Sequence, residues 1–595
     1  ANRRAMSFTV TELAVEPFGD QKPGTSGLRK QTAVFMSGTY LHNFTQAIFD
    51  ALPAEELKGA TLVVSGDGRY FSTEAVQVIL KIAAANGVGR VWVGQNGLLS
   101  TPAVSAVIRE REGGVAYGGI ILTASHNPGG PEGDFGVKYN TANGGPAPQG
   151  VTDAIYEKSK SITRVLSAED LPTVDLGALG RLDFTGPDGQ PFTVEVIDST
   201  EDYLTLLRRV FDFPAIRAMV QRADFHMVYD ALNGVAGPYA HRIFCEELGA
   251  SPAAMHNCVP KPDFGGLHPD PNLTYAEALV KRMGLLRDGS PAEGVNPATL
   301  PSFGGAADGD ADRAMILGPA FFVSPSDSVA VIAANASVIP YFAGGLRGAA
   351  RSMPTSQALD HVARKQGFKC FEVPTGWKFF GNLMDSHAVF GKEDYTPFIC
   401  GEESFGCGSD HIREKDGIWT VLCWLSILAS RNPDSSKPLV GVADVVNDHW
   451  RTYGRNYYSR FDYEGVASEA AAKVMDHLKA QADEFAASGG SPREIAPGFV
   501  LSSCDSFDYT DPVDGSVTTN QGMRFLFADG SRFVVRLSGT GSVGATIRLY
   551  LEKYEPPEGT LDAQPQVALH DLVQVALKTT CIAEFTGREE PSVIT

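Results

Sequence analysis

The feature that most restricts the fold of this chain is a pattern that occurs three times: a short apolar run, a polar or glycine-rich turn, an amphipathic segment and a second apolar run. The three copies cover residues 61–94, 226–250 and 350–377. Short apolar strands that alternate with helices form parallel or mixed sheets covered by helices. The copies therefore predict three related α/β domains in series. In the first copy the helical spacing is carried by Ala75, Val76, Val78, Ile79, Leu80, Ile82 and Ala83.

The last part of the chain has a different pattern. One apolar run turns at Asp529-Gly530, which is typical of a β-hairpin, and a later run alternates at Ile547, Leu549 and Leu551. This arrangement predicts an α+β domain at the C-terminal end.

The length of the chain is consistent with several such domains. At roughly 100 to 200 residues per domain, a chain of 595 residues holds three to five. Two stretches rich in Gly, Pro and Ser, 287–305 and 487–498, predict exposed connections. We place four domains at residues 1–205, 206–326, 327–445 and 446–595.

Charge and cysteine content exclude several classes of partner. The formal net charge of −20 argues against nucleic acid and anionic lipid, because both require a basic surface. The eight cysteines form no CxxC pair, which favours free thiols in a cytoplasmic protein. The most apolar run, 329–344, is broken by Asn335, Ser337 and Pro340 and falls short of the ~18 apolar residues that a transmembrane helix needs. The sequence does not determine the oligomeric state.

A loop after the apolar run 119–122 carries the first candidate for chemistry. It places Ser125 and His126 at the carboxyl end of a predicted strand, where open α/β sheets bind their ligands. A serine becomes a useful nucleophile when a neighbouring base removes its proton, or when its oxygen already carries phosphate beside a cation. Taken alone, the pair is also compatible with a simple turn.

The second candidate is a run of three carboxylates, Asp308, Asp310 and Asp312, separated by small residues and followed by Arg313. This spacing can direct all three carboxylates toward one point, which suits a hard cation with oxygen ligands. An EF-hand would require a Glu at the twelfth position of the loop, where the chain has Pro319. The alternative is a solvated acidic turn.

The third candidate is a glycine-rich loop near the C-terminus, with the sequence RLSGTGS at 536–542. Two glycines allow successive backbone N–H groups to point inward, and the neighbouring hydroxyl and guanidinium groups can complete a phosphate site. The alternative is a plain hairpin loop. Three further segments are ordinary turns when taken alone: GEESFG at 401–406, PTGW at 374–377 and PGTSGLRK at 23–30.

Taken together and in this order, the motifs TASHNP, DGDADR, GEESFG and RLSGTGS resemble those of the α-D-phosphohexomutase family. The resemblance extends from about residue 22 to residue 595 and is closest to the eukaryotic phosphoglucomutase branch, which includes parafusin-like members. It implies four domains around a central cleft, three related α/β domains with mixed sheets followed by an α+β domain.

The resemblance also implies a role for each site residue. Ser125 would carry the catalytic phosphate, with Mg²⁺ bound between that phosphate and Asp308, Asp310 and Asp312. His126 and Lys415 are the candidates for proton transfer. The groups that neutralise phosphate charge would be Arg29, Lys138, Arg313 and Lys415. The sugar would be recognised by Thr25, Ser26, Thr375, Gly376, Trp377, Glu402 and Ser404. The phosphate that does not react would be bound by Arg536, Ser538, Gly539, Thr540 and Arg548.

The activity implied is the interconversion of glucose 1-phosphate and glucose 6-phosphate, with glucose 1,6-bisphosphate as intermediate and primer. The GEESFG loop favours glucose over mannose, because bacterial dual-specificity relatives have GEMSGH-like loops. Two alternatives remain from the same resemblance. One is a sibling enzyme, a phosphomannomutase or a glucose-1,6-bisphosphate synthase. The other is a parafusin-like protein of regulated secretion, associated with secretory vesicles and with weak or no mutase activity.

The sequence departs from the family pattern in the metal loop, where Ala311 replaces the usual glycine. If this position needs a positive φ, alanine costs about 1 kcal/mol there. Two segments, 284–305 and 390–399, are also longer than in typical members.

Overall fold

The computed structural model describes residues 6–538 and 544–595, and within these ranges the chain forms four domains, each built on its own main sheet. The four sheets lie within the four predicted domains, while the exact boundaries stay predictions.

Domain 1 contains an eight-stranded mixed sheet in the order β1-β9-β10-β5-β4-β6-β7-β3. Its centre, β5-β4-β6, is parallel, as the first sequence repeat predicts. The strands are β1 Met6–Ser7, β2 Thr11–Ala14, β3 Leu28–Gln31, β4 Thr61–Gly66, β5 Arg90–Gly94, β6 Ala116–Leu122, β7 Asp134–Thr141, β8 Arg164–Ser167, β9 Gly180–Thr185 and β10 Pro191–Ile197. The helices are α1 Thr32–Phe35, α2 Tyr40–Ala51, α3 Ala54–Leu57, α4 Ser72–Ala85, α5 Thr101–Glu110 and α6 Gln149–Ser159.

Domain 2 has a five-stranded mixed sheet, β12-β11-β13-β14-β15. Its strands are β11 Met227–Asp230, β12 Met255–His256, β13 Phe303–Ala307, β14 Ala314–Gly318 and β15 Phe321–Val323. Its helices are α7 Glu201–Val210, α8 Phe213–Val220, α9 Ala236–Ala240, which continues as a π-helix over His241–Glu247, and α10 Glu277–Arg282.

Domain 3 has a four-stranded sheet, β17-β16-β18-β19, in which the first three strands are parallel. Its strands are β16 Gly348–Ser352, β17 Lys369–Val373, β18 Phe398–Gly401 and β19 Cys407–Ser409. Its helices are α11 Pro325–Ala334, α12 Ala358–Gln366, α13 Trp377–Met384, α14 Gly417–Arg431 and α15 Val442–Tyr453. A helix that is apolar on every side needs a fully buried position. This explains α14, which packs inside one continuous apolar core shared by domains 1, 2 and 3.

Domain 4 is the predicted α+β domain, with a seven-stranded, mostly antiparallel sheet in the order β21-β22-β25-β26-β27-β20-β28. The predicted hairpin is β25-β26 and the predicted later strand is β27. The strands are β20 Arg455–Val466, β21 Arg493–Ala496, β22 Phe499–Ser506, β23 Tyr509–Thr510, β24 Val517–Thr518, β25 Met523–Phe527, β26 Arg532–Ser538, β27 Ala545–Glu555 and β28 Val593–Ile594. The helices are α16 Ser468–Ala487, α17 Pro565–Ala568, α18 His570–Thr580 and α19 Ile582–Thr586.

The predicted exposed connections are partly wrong. The first should run to residue 305, but β13 begins at Phe303 and is buried throughout. A Cβ on Gly304 would lie 3.0 Å from Met283, and one on Gly305 would lie 3.3 Å from Tyr229. These glycines therefore permit close strand packing and do not mark a loop. In the second stretch, Arg493–Ala496 forms β21.

Two further sequence predictions can be compared with the structure. All eight cysteines are free, as predicted. In the described parts of the chain, the helices are too short or too polar for any of them to cross a membrane.

Candidate functional site

The loop after β6 presents Ser125 at the carboxyl edge of the domain 1 sheet. Ser125 has a φ of 54° and is 1% exposed. Its backbone N–H donates to Thr123 Oγ1 at 2.7 Å, which stabilises this left-handed conformation. Its Oγ lies 2.9 Å from Asp308 Oδ2 and 3.4 Å from His126 Nδ1. The serine hydroxyl is therefore held between a carboxylate of domain 2 and an imidazole.

The loop that carries Ser125 is supported by a buried ion pair, which the sequence analysis missed. Arg69 and Asp67 pair at 2.8 Å with both side chains fully buried. Arg69 donates to the Ser125 carbonyl at 2.9 Å, and Asp67 accepts from Thr123 Oγ1 at 2.6 Å. The available signal was an Asp-Gly-Arg sequence directly after β4, the strand next to β6 in the sheet.

The three carboxylates of the second motif converge in the loop between β13 and β14. Asp308, Asp310 and Asp312 are all buried, and one oxygen from each lies within 4.8 Å of the others. Thr101 at the start of α5 donates to Asp310 Oδ2 at 2.7 Å. Burial, together with the charges of Asp312 and Asp310, raises the pKa of Asp308 well above its usual range. Such a cluster is costly unless cations compensate its charge.

The oxygens of this loop fit a divalent cation. In the described part of the chain, Asp310 Oδ1 and Asp312 Oδ1 are buried without a hydrogen-bond partner. Buried carboxylate oxygens are otherwise rarely left unsatisfied. Mg²⁺ prefers oxygen ligands of this kind, so the residues present match the cation that the motif predicts.

Ala311, the departure from the family pattern, lies in this loop with a φ of 63°. The condition under which alanine carries a cost at this position, a positive φ, is therefore met. A left-handed alanine costs about 1 kcal/mol. The surroundings enforce it: the Ala311 N–H donates to the Asp308 carbonyl at 3.1 Å, and its own carbonyl accepts from Gly417 N at 3.0 Å.

Two of the four predicted cationic groups, Lys415 and Arg313, lie against the carboxylates, and the charge of a third, Arg29, interacts with them. Lys415 Nζ is 3.0 Å from Asp312 Oδ2, and Arg313 Nε is 3.9 Å from Asp308 Oδ2. Burial alone would lower the pKa of Lys415, but the charges of Asp312 and Glu402 outweigh it, so the pKa is raised and the ammonium stays protonated. Arg29 is close enough for its charge to interact with that of Asp310, and in the described structure its buried Nε has no hydrogen-bond partner.

Lys138, the fourth cation, is paired differently. Its Nζ forms a short ion pair with Glu414, and both side chains are almost completely buried. Asn140 Nδ2 donates to the same Glu414 oxygen at 2.8 Å. The predicted role of Lys138 in neutralising phosphate therefore stays a prediction, whereas its structural role is clear.

Glu414 and Lys415 belong to a segment, residues 409–416, that we call the junction loop. At its tip, three consecutive charged residues reach three domains: Arg413 Nε donates to Asp385 in domain 3 at 2.8 Å, Glu414 pairs with domain 1 and Lys415 pairs with domain 2. At its base, His411 bridges Ser409 Oγ at 2.7 Å and Asp416 Oδ2 at 3.0 Å. The sequence analysis missed this loop except for Lys415.

The predicted sugar residues form the next part of the cleft. Gly376 N donates to Glu402 Oε1 at 3.0 Å, and a Cβ on Gly376 would lie 2.9 Å from Thr25 Cγ2. The segments around Thr25, Gly376 and Glu402 therefore meet. In the described structure, Thr375 Oγ1 and Trp377 Nε1 are buried without hydrogen-bond partners.

Of the other residues predicted to recognise the sugar, Ser26 is exposed and Ser404 is half-buried, and their role stays a prediction.

The predicted phosphate residues lie on domain 4. Arg536 and Arg548 face each other across β26 and β27, and Arg460 of β20 shares the same sheet face. We call this surface, formed by Arg460, Arg536 and Arg548, the arginine face. Asp462 Oδ1 pairs with Arg460 at 3.0 Å and Asp462 Oδ2 with Arg548 at 3.7 Å.

Ser538 is the last residue of β26, whereas Gly539 and Thr540 lie outside the described residues. Arg460, in the strand sequence NYYSRFDY, carries no motif that would have identified it.

Comparison with known proteins gives matches to four family models along the chain. Three are the α/β/α domains I, II and III of phosphoglucomutase/phosphomannomutase, at residues 20–165, 201–320 and 325–453. The fourth is the C-terminal domain of phosphoglucomutase-1, at residues 455–592.

Similar full-length proteins include two plant enzymes. The chain is 58% identical to probable cytoplasmic phosphoglucomutase 1 of Arabidopsis thaliana and to cytoplasmic phosphoglucomutase 1 of Zea mays, covering 99% of this chain and 100% of each relative.

Solved structures show the same architecture. The open form of pp63/parafusin, an exocytosis-sensitive phosphoprotein and phosphoglucomutase from Paramecium, matches with a TM-score of 0.88 and 48% identity over 99% of this chain and 100% of that one. A phosphoglucomutase/phosphomannomutase family protein from Burkholderia thailandensis matches with a TM-score of 0.59 and 18% identity over 95% of this chain and 98% of that one, which shows the fold alone.

Proposed function

Given that this chain belongs to the phosphoglucomutase/phosphomannomutase family of α-D-phosphohexomutases and has the phosphoglucomutase activity of that family, we propose a Mg²⁺-dependent reaction through a phosphoserine at Ser125. Glucose 1-phosphate and glucose 6-phosphate would interconvert by way of glucose 1,6-bisphosphate, which also serves as primer.

The single observation that supports this mechanism best is the position of Ser125 Oγ, 2.9 Å from Asp308 in a cluster of three buried carboxylates. A phosphate on Ser125 beside three carboxylates would be strongly repelled unless a cation compensated the negative charge. Mg²⁺ held by Asp308, Asp310 and Asp312 would neutralise charge on the phosphoryl group during transfer.

The remaining groups have separate tasks in the proposed transfer. Transfer breaks the bond from phosphorus to Ser125 Oγ and forms one to a sugar hydroxyl, while negative charge spreads over the phosphoryl oxygens. Arg29, Arg313 and Lys415 are placed to stabilise that charge. The proton of the attacking sugar hydroxyl has to reach Ser125 Oγ, the oxygen that the phosphoryl group leaves. Burial and the nearby charge of Arg313 lower the pKa of His126 well below its usual value, so its imidazole is neutral at rest, and with Nδ1 3.4 Å from Ser125 Oγ it would carry that proton transiently from the sugar to the serine.

The two ends of the cleft correspond to the two phosphates of the proposed bisphosphate. One end holds Ser125 and the carboxylates, the other is the arginine face, and the segments around Gly376 and Glu402 lie between them. The intermediate must reverse its orientation so that its other phosphate reaches Ser125. The sugar loops would therefore read the hexose in both orientations, and domain 4 would close over it to exclude water.

The alternative activities receive less support than this one. The relatives at 58% identity over nearly the whole chain have names that state phosphoglucomutase activity, and GEESFG agrees with glucose as the sugar. The relative from Paramecium has a name that combines exocytosis with phosphoglucomutase, so secretion alone is not favoured. Because the plant relatives are named cytoplasmic, we propose the cytoplasm as the location of this protein too.

The test is a coupled assay for glucose 6-phosphate with purified protein, Mg²⁺ and glucose 1,6-bisphosphate. The wild type should turn over, and Ser125→Ala should lose about a thousandfold or more of kcat. The exposed Ser161→Ala is the matched control and should keep wild-type rates. Absence of wild-type turnover, or more than a tenth of the activity in Ser125→Ala, would contradict the proposal. Mannose 1-phosphate in the same assay distinguishes the sibling activity.

A further inference from the structure

The two adjacent glutamates of the GEESFG loop serve opposite ends of the cleft. Glu402 accepts from Gly376 N, and its charge interacts with Lys415 and Arg313 on the side of the carboxylates. Glu403 extends the other way, toward domain 4. The family resemblance assigns this loop to sugar recognition through Glu402 and Ser404 and gives Glu403 no role of its own.

Glu403 is only 4% exposed, and its carboxylate and backbone are held by hydrogen bonds. Its Oε2 accepts from Ser352 Oγ at 2.9 Å and from Thr355 Oγ1 at 3.4 Å, and its backbone N–H donates to Thr355 Oγ1 at 2.8 Å. In the described structure, its other oxygen, Oε1, is buried without a hydrogen-bond partner. The carboxylate is therefore fixed with one oxygen left for electrostatic interaction.

The turn at residues 352–355, which binds Glu403, is itself hydrogen-bonded to domain 4. Arg532 donates to the carbonyls of Met353 at 3.0 Å and Thr355 at 2.6 Å. Tyr458 OH donates to the Pro354 carbonyl at 2.8 Å. Tyr458 lies two residues before Arg460 on β20, so both side chains lie on the same side of the sheet. The contact with the turn and the arginine face are therefore on the same side of domain 4.

The charge of Glu403 acts on the arginine face. Burial alone would raise the pKa of Glu403, but the charges of Arg536, Arg460 and Arg548 outweigh it and lower the pKa. The carboxylate is therefore ionised. Among the described residues, Asp462 forms ion pairs with Arg460 and Arg548, and the charge of Glu402 acts on Arg536 less strongly than that of Glu403. The three guanidiniums taken with Glu403 and Asp462 leave one net positive charge.

We propose that Glu403 is a counter-charge that weakens the hold of the arginine face on a sugar phosphate, so that the bisphosphate intermediate can leave this end of the cleft and reverse. This inference rests on the proposed function, because only a reaction with a reversing intermediate needs easy release. An arginine face with two net positive charges would match a phosphate dianion and bind it more tightly. Binding that is as strong for the intermediate as for the substrate does not increase kcat.

The test compares the wild type with Glu403→Gln, which removes the charge and keeps an oxygen for Ser352 and Thr355. The Kd of inorganic phosphate by calorimetry and the KM for glucose 1-phosphate should both fall about three- to tenfold, without any increase in kcat. If Glu403 had only a structural role, its replacement would weaken phosphate binding. Tighter phosphate binding in Glu403→Gln would therefore indicate a counter-charge. Glu558→Gln removes an exposed charge of the same domain and should leave both constants unchanged.

A charge-balanced variant gives an independent measurement. Arg460→Gln should weaken phosphate binding, and Glu403→Gln combined with Arg460→Gln should return the Kd to within about twofold of the wild type, because the net charge is restored. If Glu403→Gln alone does not fold, the comparison of Arg460→Gln with the double variant carries the test. Unchanged or weaker phosphate binding in Glu403→Gln, or a double variant no better than Arg460→Gln, would overturn the proposal. The phosphate Kd is independent of turnover, so this result is separate from failure of the proposed function.

Discussion

Replacement of Asp310 by asparagine should stabilise the metal-free protein while it removes the metal site. The closest oxygens of the three carboxylates lie within 4.8 Å, where each repulsion is worth about 3 kcal/mol at an effective dielectric constant of 20. Asp310→Asn removes the repulsion from Asp312 and the part of the Asp308 repulsion that the raised pKa of Asp308 leaves, and it loses the attraction to Arg29, so the net gain is about 1–3 kcal/mol. The asparagine oxygen can still accept from Thr101 Oγ1, so the local hydrogen bond is kept.

The assay is thermal unfolding in EDTA and in millimolar Mg²⁺. In EDTA, Asp310→Asn should unfold at a higher temperature than the wild type, by about 1 °C for each kcal/mol in a chain of this size. Mg²⁺ should raise the Tm of the wild type and not that of the variant, because only a site that binds the ion gains stability from it. Turnover should be lost.

The reasoning would be refuted if Asp310→Asn unfolded earlier than the wild type in EDTA, since that would mean the carboxylate is stabilising without a cation. It would also be refuted if the variant kept the full Mg²⁺-dependent shift. Asp263→Asn, which removes an exposed carboxylate of domain 2, controls for a general change in charge.

Two further substitutions test the contacts between domains. Lys138→Met should lower the free energy of unfolding by about 3–5 kcal/mol in urea titrations, because it leaves Glu414 buried and unpaired. Adding Glu414→Gln should recover part of that loss. A loss below about 1 kcal/mol in Lys138→Met would contradict this reasoning. Gly376→Ala should raise the KM for glucose 1-phosphate, since its φ of 135° costs alanine about 1–3 kcal/mol and the new methyl group meets Thr25. Gly381→Ala, in the same segment but with open space around it, should leave KM unchanged, and an equal effect of both variants would argue against the steric reason.

Features that lie within a few residues of each other were predictable from the sequence. The alternate spacing of Asp308, Asp310 and Asp312 is local, and their convergence needed only a short loop between two strands. The apolar run before Ser125 also predicted at which edge of the sheet Ser125 lies. The repeats identified the three α/β domains because periodicity of 2 and 3.6 residues records which face of an element is buried.

Features that depend on distant pairing were not predictable. Glu414 meets Lys138 across 276 residues, and nothing near either residue indicates the other. Arg460 joins Arg536 and Arg548 only because β20 and β26 both pair with β27. Register between strands that are far apart in sequence depends on the whole sheet, so a strand arginine without a motif looks like any surface charge.

The junction loop has a consequence for how the protein is made. Two of its charged residues, Glu414 and Lys415, complete ion pairs in domains 1 and 2 long after those domains have been synthesised. At about 5–20 residues per second, Glu414 follows Lys138 by 276 residues, or roughly 15 to 55 seconds. During that interval the nascent chain holds Lys138 without Glu414, and in the last part of it Asp312 is also present without Lys415. The end of the cleft that holds Ser125 and the carboxylates is therefore completed late, by a single loop that is synthesised after domains 1 and 2, and the arginine face follows later still.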